Sequence, residues 1–172
     1  MLIIHAAQKL LNTSRLTAVK YITKPAEGQM MHGWYARLLS SGFAGKLLVM
    51  YVHEPSLLTV VCRGKTIKGT WPEFLQRWPE LMQRHHFDLP FIQKEISEAN
   101  DFVVAKTDSR SMLAYMNQMI FQLEYDCSKF SSYDEIHLNL LEDRMMNHLY
   151  STKENRHHFT TAIEYFKSII IK

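Results

Sequence analysis

Hydrophobic and polar positions follow two different periods along the chain. The runs "WYARLLSS", "GKLLVMYVH" and "SLLTVVCRG" are rich in aromatic, Leu and β-branched residues, and "SGFAG" and "EPS" separate them as turns. That layout predicts three strands in an antiparallel meander. After Gly69 the spacing lengthens: Trp71, Phe74, Leu75, Trp78, Leu81 and Met82 recur every three or four residues, the mark of an amphipathic helix. Thr70 suits the N-cap and Pro72 the first turn, whereas Pro79 falls inside the pattern and predicts a split or kink.

The flanking segments extend this reading. "MLIIH" reads as a short strand and "AQKLLNTS" as a short helix. "YITKPAEGQMMHG" reads as a loop broken by Pro25, Gly28 and Gly33. "PFIQKEISEA" predicts a helix beginning at Pro90, "FVVAK" a strand, and a long helix follows from about Ser109 to Asp126. Ser128 to Ser132 reads as a loop, and "SYDEIHLNLLEDRMMNHLY" and "HFTTAIEYFKSIII" predict a helical C-terminal half. No internal repeat or low-complexity tract interrupts the chain. Strands precede most helices, so the expected fold is α+β: an antiparallel sheet of about four or five strands covered by helices. A length of 172 residues fits one domain with a core large enough to need no staples.

Composition narrows the class without naming an activity. Hydrophobic residues at 47% and charged residues at 22% suit a soluble globular protein. The longest apolar runs, such as "KLLVMYV" and "SIIIK", are too short to span a bilayer, and "MLIIHAA" lacks the basic start of a signal peptide. Cys62 and Cys127 lie far apart with no CxxC partner, which suits reduced thiols, and the expected location is cytoplasmic. The net charge of +3 is uneven: residues 1–70 carry nine Lys/Arg against two Asp/Glu, and residues 71–172 carry eleven against fifteen. Such asymmetry can mark an anionic partner, or the two halves can simply offset each other when packed.

Most chemical signatures are missing. The nine histidines form no HxxxH pair, and the neighbours His85–His86 and His157–His158 would point about 100° apart on a helix. No metal and no cofactor is expected. There is no GxSxG elbow, phosphate loop or dinucleotide fingerprint. His86 and Asp88 in "HHFDLP" could form an acid–orienter pair, but read better as an exposed connection between helices. Glu142–Asp143 could hold a divalent ion, but adjacent carboxylates on a helix diverge and usually mark a solvated face. Trp71, Phe74 and Trp78 could stack on bases, but their helical spacing favours a core stripe.

One segment gathers candidate chemistry. "AKTDSRSMLAYMNQM", Ala105 to Met119, reads as a strand end, a polar turn and a helix start, and sets Lys106, Thr107, Ser109, Arg110 and Ser111 close together. At 100° per residue, Met112, Leu113, Met116, Met119, Ile120 and Leu123 form the buried face. Arg110, Ala114, Asn117 and Phe121 share a ridge at its edge, and the small Ala114 leaves room for another chain or a ligand. First-turn N–H groups, two cations and hydroxyls together make an anion site. The competing structural reading has Thr107 or Asp108 capping the helix and Arg110 paired with a carboxylate elsewhere.

The same segment resembles the "KTxxRSxLGxMN" stretch of a small bacterial domain family of unknown function. "HAAQKLL" is similar to that family's "HxxxKLL" helix, "GWYARLL" to its "GxWxAxL"-type strand, and "LLVMYVHEPSLLTVV" to its strands joined by a "VNExTL" turn. The resemblance covers roughly residues 1–150. Ala114 stands in place of a glycine, Gln118 of an acid and His53 of an asparagine, and "HHFTTAIEYFKSIIIK" reads as a C-terminal helical extension over 151–172. The resemblance implies a compact α+β domain of bacterial or phage origin and transfers no activity, cofactor or catalytic residue. The functional expectation is a small cytoplasmic binding protein that engages a phosphate-bearing partner, nucleic acid first, through Lys106, Thr107, Ser109, Arg110 and Asn117, with His5 and Lys9. The alternatives are a protein-interaction or regulatory module, and an enzyme whose groups, such as His5, Lys9 and Arg110, converge only on folding. The oligomeric state is open.

Overall fold

The computed structural model describes residues 1–20, 22, 30–151 and 159–170; the expected breakers Pro25 and Gly28 and the His157–His158 pair lie outside them. The predicted meander forms: β2 (Gly33–Ser40), β3 (Leu47–His53) and β4 (Thr59–Arg63) pair antiparallel in sequence order. β3 is buried from Leu48 through His53, which is what a strand with helices over both faces requires.

β1 (Leu2–Ala6) and β5 (Phe102–Lys106) complete a five-stranded sheet of order β4-β3-β2-β1-β5. β1 runs parallel to both of its neighbours, so the sheet is mixed and the expected all-antiparallel sheet is corrected. The connections explain the difference. Helix α1 (Gln8–Ser14) separates β1 from β2, and α2 (Ile67–Arg84) and α3 (Leu89–Ser97) separate β4 from β5. A chain that returns across a sheet through a helix re-enters it in the same direction.

Alternation along β2 divides the layers. Trp34 points to the face covered by α2, with its ring centroid 4.9 Å from Phe74 and 5.2 Å from Trp78. α1 lies on the same side, where Ser14 accepts a hydrogen bond from the Ile67 N–H at 3.0 Å. Tyr35 and Arg37 point to the other face, covered by α4 (Arg110–Cys127) and α5 (Leu138–Met146). Met119 of α4 meets Thr59 there, and Glu142 of α5 accepts the Val61 N–H at 3.0 Å.

Local boundaries follow from who caps whom. The cap of α2 is Thr66, whose side chain accepts from Gly69, so the helix begins one turn before the expected Thr70. Thr70 is buried and shares a hydrogen bond with Tyr51 at 2.7 Å. α2 continues through both Pro72 and Pro79. An interior proline costs about 3 kcal/mol, but Trp78, Leu81 and Met82 beside it are fully buried and hold the helix together. Trp78 and Phe74 are core residues and Trp71 packs on Phe102, so this stripe offers no surface to bases.

The C-terminal half is less helical than expected. α5 starts at Leu138 because the preceding chain is held otherwise: Arg63 takes the Ile136 carbonyl at 2.6 Å and Tyr133 donates to the Leu47 carbonyl at 2.8 Å. After α5, β6 (Tyr150–Ser151) pairs with β7 (Phe159–Thr160). α6 (Ala162–Ile170) opens on a capping box, with Thr161 and Glu164 exchanging hydrogen bonds to each other's N–H. Its Phe166 packs edge-on against His53, Phe87 and Phe91. Among the described residues no helix is long and apolar enough to cross a membrane. Cys62 and Cys127 are both free and buried.

Candidate functional site

β1 and β5 are adjacent and parallel, yet the chain leaves their ends toward opposite faces: α1 to the Trp34 side and α4 to the Tyr35 side. Such a divergence opens a crevice beyond the strand ends, the habitual ligand position of sheets with parallel strands. Here a crevice of about 330 Å³ lies beside the end of β5, lined by Val19, Lys20, Ile22, Lys106 and Asp108, among others, where the Val19 N–H donates to the Val104 carbonyl at 2.8 Å.

The register of the sheet sets a polar cluster behind Lys106 and Asp108. His5 of β1 pairs with Tyr35 of β2 and Ala105 of β5, and the His5 and Tyr35 rings stack at 4.7 Å. The His5 Nδ1 lies 3.1 Å from the Lys106 carbonyl and 3.5 Å from the Asp108 carboxylate. A carbonyl only accepts, so Nδ1 donates, and in the neutral ring Nε2 is left as an acceptor. Among the described residues Nε2 has no hydrogen-bond partner. The Tyr35 hydroxyl donates to Asp108, and that bond holds the carboxyl below its ordinary range. Burial, with the same bond, pushes the Tyr35 phenol up. The arrangement can present a fixed imidazole acceptor beside a permanent carboxylate.

The helix start follows two residues after Asp108, at the edge of the crevice lining. Ser109 is the N-cap of α4: its Oγ accepts from the Met112 N–H at 3.3 Å and meets the Ser111 hydroxyl at 3.1 Å. The cap is therefore neither Thr107 nor Asp108. Lys106 and Arg110 are exposed, and among the described residues neither has a carboxylate partner. Thr107 is half-buried between them. Asn117, two turns along, accepts a hydrogen bond from Arg37 of β2 rather than facing the crevice. Lys9 is exposed on α1, and no hydrogen bond or ion pair joins its ammonium to this cluster among the described residues. The structure thus gathers His5, Lys106, Thr107, Ser109 and Arg110 around one strand end, leaving Lys9 and Asn117 apart.

Two participants escaped the sequence reading, Tyr35 and the Asp108 carboxylate as a partner of His5, as did the Arg37 that holds Asn117 outside the cluster. Tyr35 and Arg37 alternate with buried apolar neighbours, and only the parallel register sets them against β1 and α4.

The other weighed pairs have structural roles. Glu142 is fully buried, so it is neither a solvated carboxylate nor an open metal ligand. It accepts from Arg77 at 2.8 and 3.0 Å and from Arg84 at 2.9 Å, while Asp143 takes Arg84 and the His85 Nε2. Burial pushes the Glu142 carboxyl up against the pull of both guanidiniums. Asp88 caps α3 and His86 is exposed, as the connection reading has it. Among the described residues no group of three or more His, Cys, Asp or Glu could hold a metal.

No curated protein matches the chain. The sequence model described as Domain of unknown function (DUF6933) matches residues 3–163, nearly the whole length and in line with the resemblance read from the motifs. The mixed α+β sheet with its diverging β1 and β5 is accordingly that of a member of the DUF6933 family, to which this chain belongs.

Proposed function

We propose that this protein binds a phosphate-bearing partner, nucleic acid first, at the crevice beyond the ends of β1 and β5. The observation that carries the reading is the pair Lys106, at the end of β5, and Arg110, at the start of α4: both exposed and without a carboxylate partner among the described residues. A cation already neutralised inside the fold has little attraction left for a ligand, whereas these two keep theirs. Lys20 lines the same crevice and adds a third positive charge. Among the described residues that line it Asp108 is the one acid, and the Tyr35 hydroxyl and His5 engage it. The setting is a cytoplasm, where two buried free thiols stay reduced.

The test is a salt series of anisotropy titrations with single- and double-stranded oligonucleotides. Affinity falls as salt rises, because each neutralised phosphate releases condensed counterions. Lys106→Ala removes one exposed charge, so it lowers affinity and flattens the slope of log K against log salt by about 0.7–0.9, with the melting temperature unchanged. A parent protein that binds neither oligonucleotide at the lowest salt overturns the reading.

A further inference from the structure

Building on that phosphate-binding reading, we infer that the outer ridge of α4 is a stacking platform for single-stranded nucleic acid. α4 turns one face to the core, where Met112, Met116 and Leu123 are buried. Its opposite face carries two large rings in water: Phe121 is 80% exposed and Tyr125 is 60% exposed. Leaving two aromatics so open forfeits the hydrophobic gain that buries Phe74, Phe166, Tyr35 and Tyr51. Both lie in line with Arg110, since residues 110, 121 and 125 fall within about 60° on a helix turning 100° per residue. The rings are one turn apart, about 6 Å along the axis.

Charge decides which partner suits the ridge. Cations stand at both ends of the ridge and at its middle. Arg110 opens it without a carboxylate partner among the described residues. Arg37 reaches it from β2 by bonding Asn117, a neutral partner that leaves its charge uncancelled. Lys129 lies 4.4 Å from the Tyr125 ring centroid, and it shares the single carboxylate of Asp126 with Arg144. Glu124 is the other acid within α4, and its carboxylate is held by the Ser40 N–H at 3.1 Å. Among the described residues Arg110, Arg37 and Lys129 stand along the ridge with two engaged carboxylates, and together with the exposed rings they match a polyanion that carries its own flat rings. Bases stack on aromatic side chains while the backbone tracks neighbouring positive charge. A duplex hides its base faces, so the ridge selects single strands.

The experiment is an anisotropy titration with a labelled single strand of about 12 nucleotides, an abasic strand of equal length, and a duplex. It compares the parent with the double variant Phe121→Ala/Tyr125→Ala and with Phe121→Trp. The double variant binds the single strand at least about tenfold more weakly, from the energy of a stacked base. Its salt slope stays that of the parent, because no charge is removed; Lys106→Ala changes that slope instead. Phe121→Trp retains binding, and the parent prefers the base-bearing strand to the abasic one. Melting temperatures should be unchanged, both rings being exposed. If the parent binds with the expected salt slope but the double variant or the abasic strand binds equally well, the ridge inference falls and the phosphate reading stands. No binding by the parent at low salt overturns both. A parent dimer in sedimentation that the double variant abolishes, with single-strand affinity unaltered, makes the ridge a contact between copies and overturns the inference.

Discussion

Replacing Glu142 by alanine removes the one acceptor that ties α2, α5 and the edge of the sheet together. The side chain is fully buried and accepts four hydrogen bonds: Val61 N–H at 3.0 Å, Arg77 at 2.8 and 3.0 Å, and Arg84 at 2.9 Å. In its absence Arg77 keeps only Asn139, while its side chain is 12% exposed and little water can replace the carboxylate. Arg84 retains Asp143, so its loss is smaller. The Val61 N–H becomes an orphan donor on β4. Breaking a buried ion pair by removing one partner costs about 3–5 kcal/mol, against a total stability of about 5–15 kcal/mol for a domain. At about 2–4 °C per kcal/mol for this chain length, the melting temperature drops by roughly 6–20 °C. Glu142→Gln keeps an acceptor for Val61 but not the charge, and falls between the alanine variant and the parent. Adding Arg77→Met to Glu142→Ala recovers part of the loss, because the stranded guanidinium is then replaced by an apolar chain. Urea titration and calorimetry read all three. A Glu142→Ala protein melting within about 2 °C of the parent would refute the account of this network as a buried, hydrogen-bonded ion cluster.

Two further outcomes follow from the packing of α4. Met116 is fully buried on its core face, so Met116→Ala costs about 2–5 kcal/mol, and an unchanged urea midpoint contradicts that placement. At Asp126 burial raises the carboxyl, but hydrogen bonds from Lys129, Arg144 and Gln122 outweigh it and hold it below its ordinary range. The stability it adds is therefore present above the unfolded value of about 3.9 and is lost as pH falls through the depressed folded value. Asp126→Asn flattens the acid limb of a urea-midpoint curve measured from pH 6 to pH 2, and parallel curves for the two proteins rule the linkage out.

The sequence by itself determined what repeats over short distances. The meander of β2, β3 and β4 was readable because strand period and turn chemistry are local, and so was the long α4, whose Met112, Met116, Met119 and Leu123 are buried where the helical wheel sets them, with Leu113 and Ile120 only half-buried. The strand at Phe102–Lys106 was readable for the same reason. The candidate segment at Lys106 to Arg110 was legible as a helix start with loose cations, since capping residues and charge are written locally. Chain direction was not. Whether β1 and β5 run with or against β2 depends on crossovers through α1 and through α2 and α3, which pair residues about thirty and about a hundred positions apart. Only that pairing brings His5 against Tyr35 and Asp108, and only it sends the chain from β1 and β5 to opposite faces. Burial of charge was equally out of reach: Glu142 and Asp143 look like a solvated pair until α2 supplies Arg77 and Arg84 from about sixty residues away. Periodicity reports which side of an element is apolar, but the identity of the partner across that side is a long-range contact, and so only the folded chain decided it.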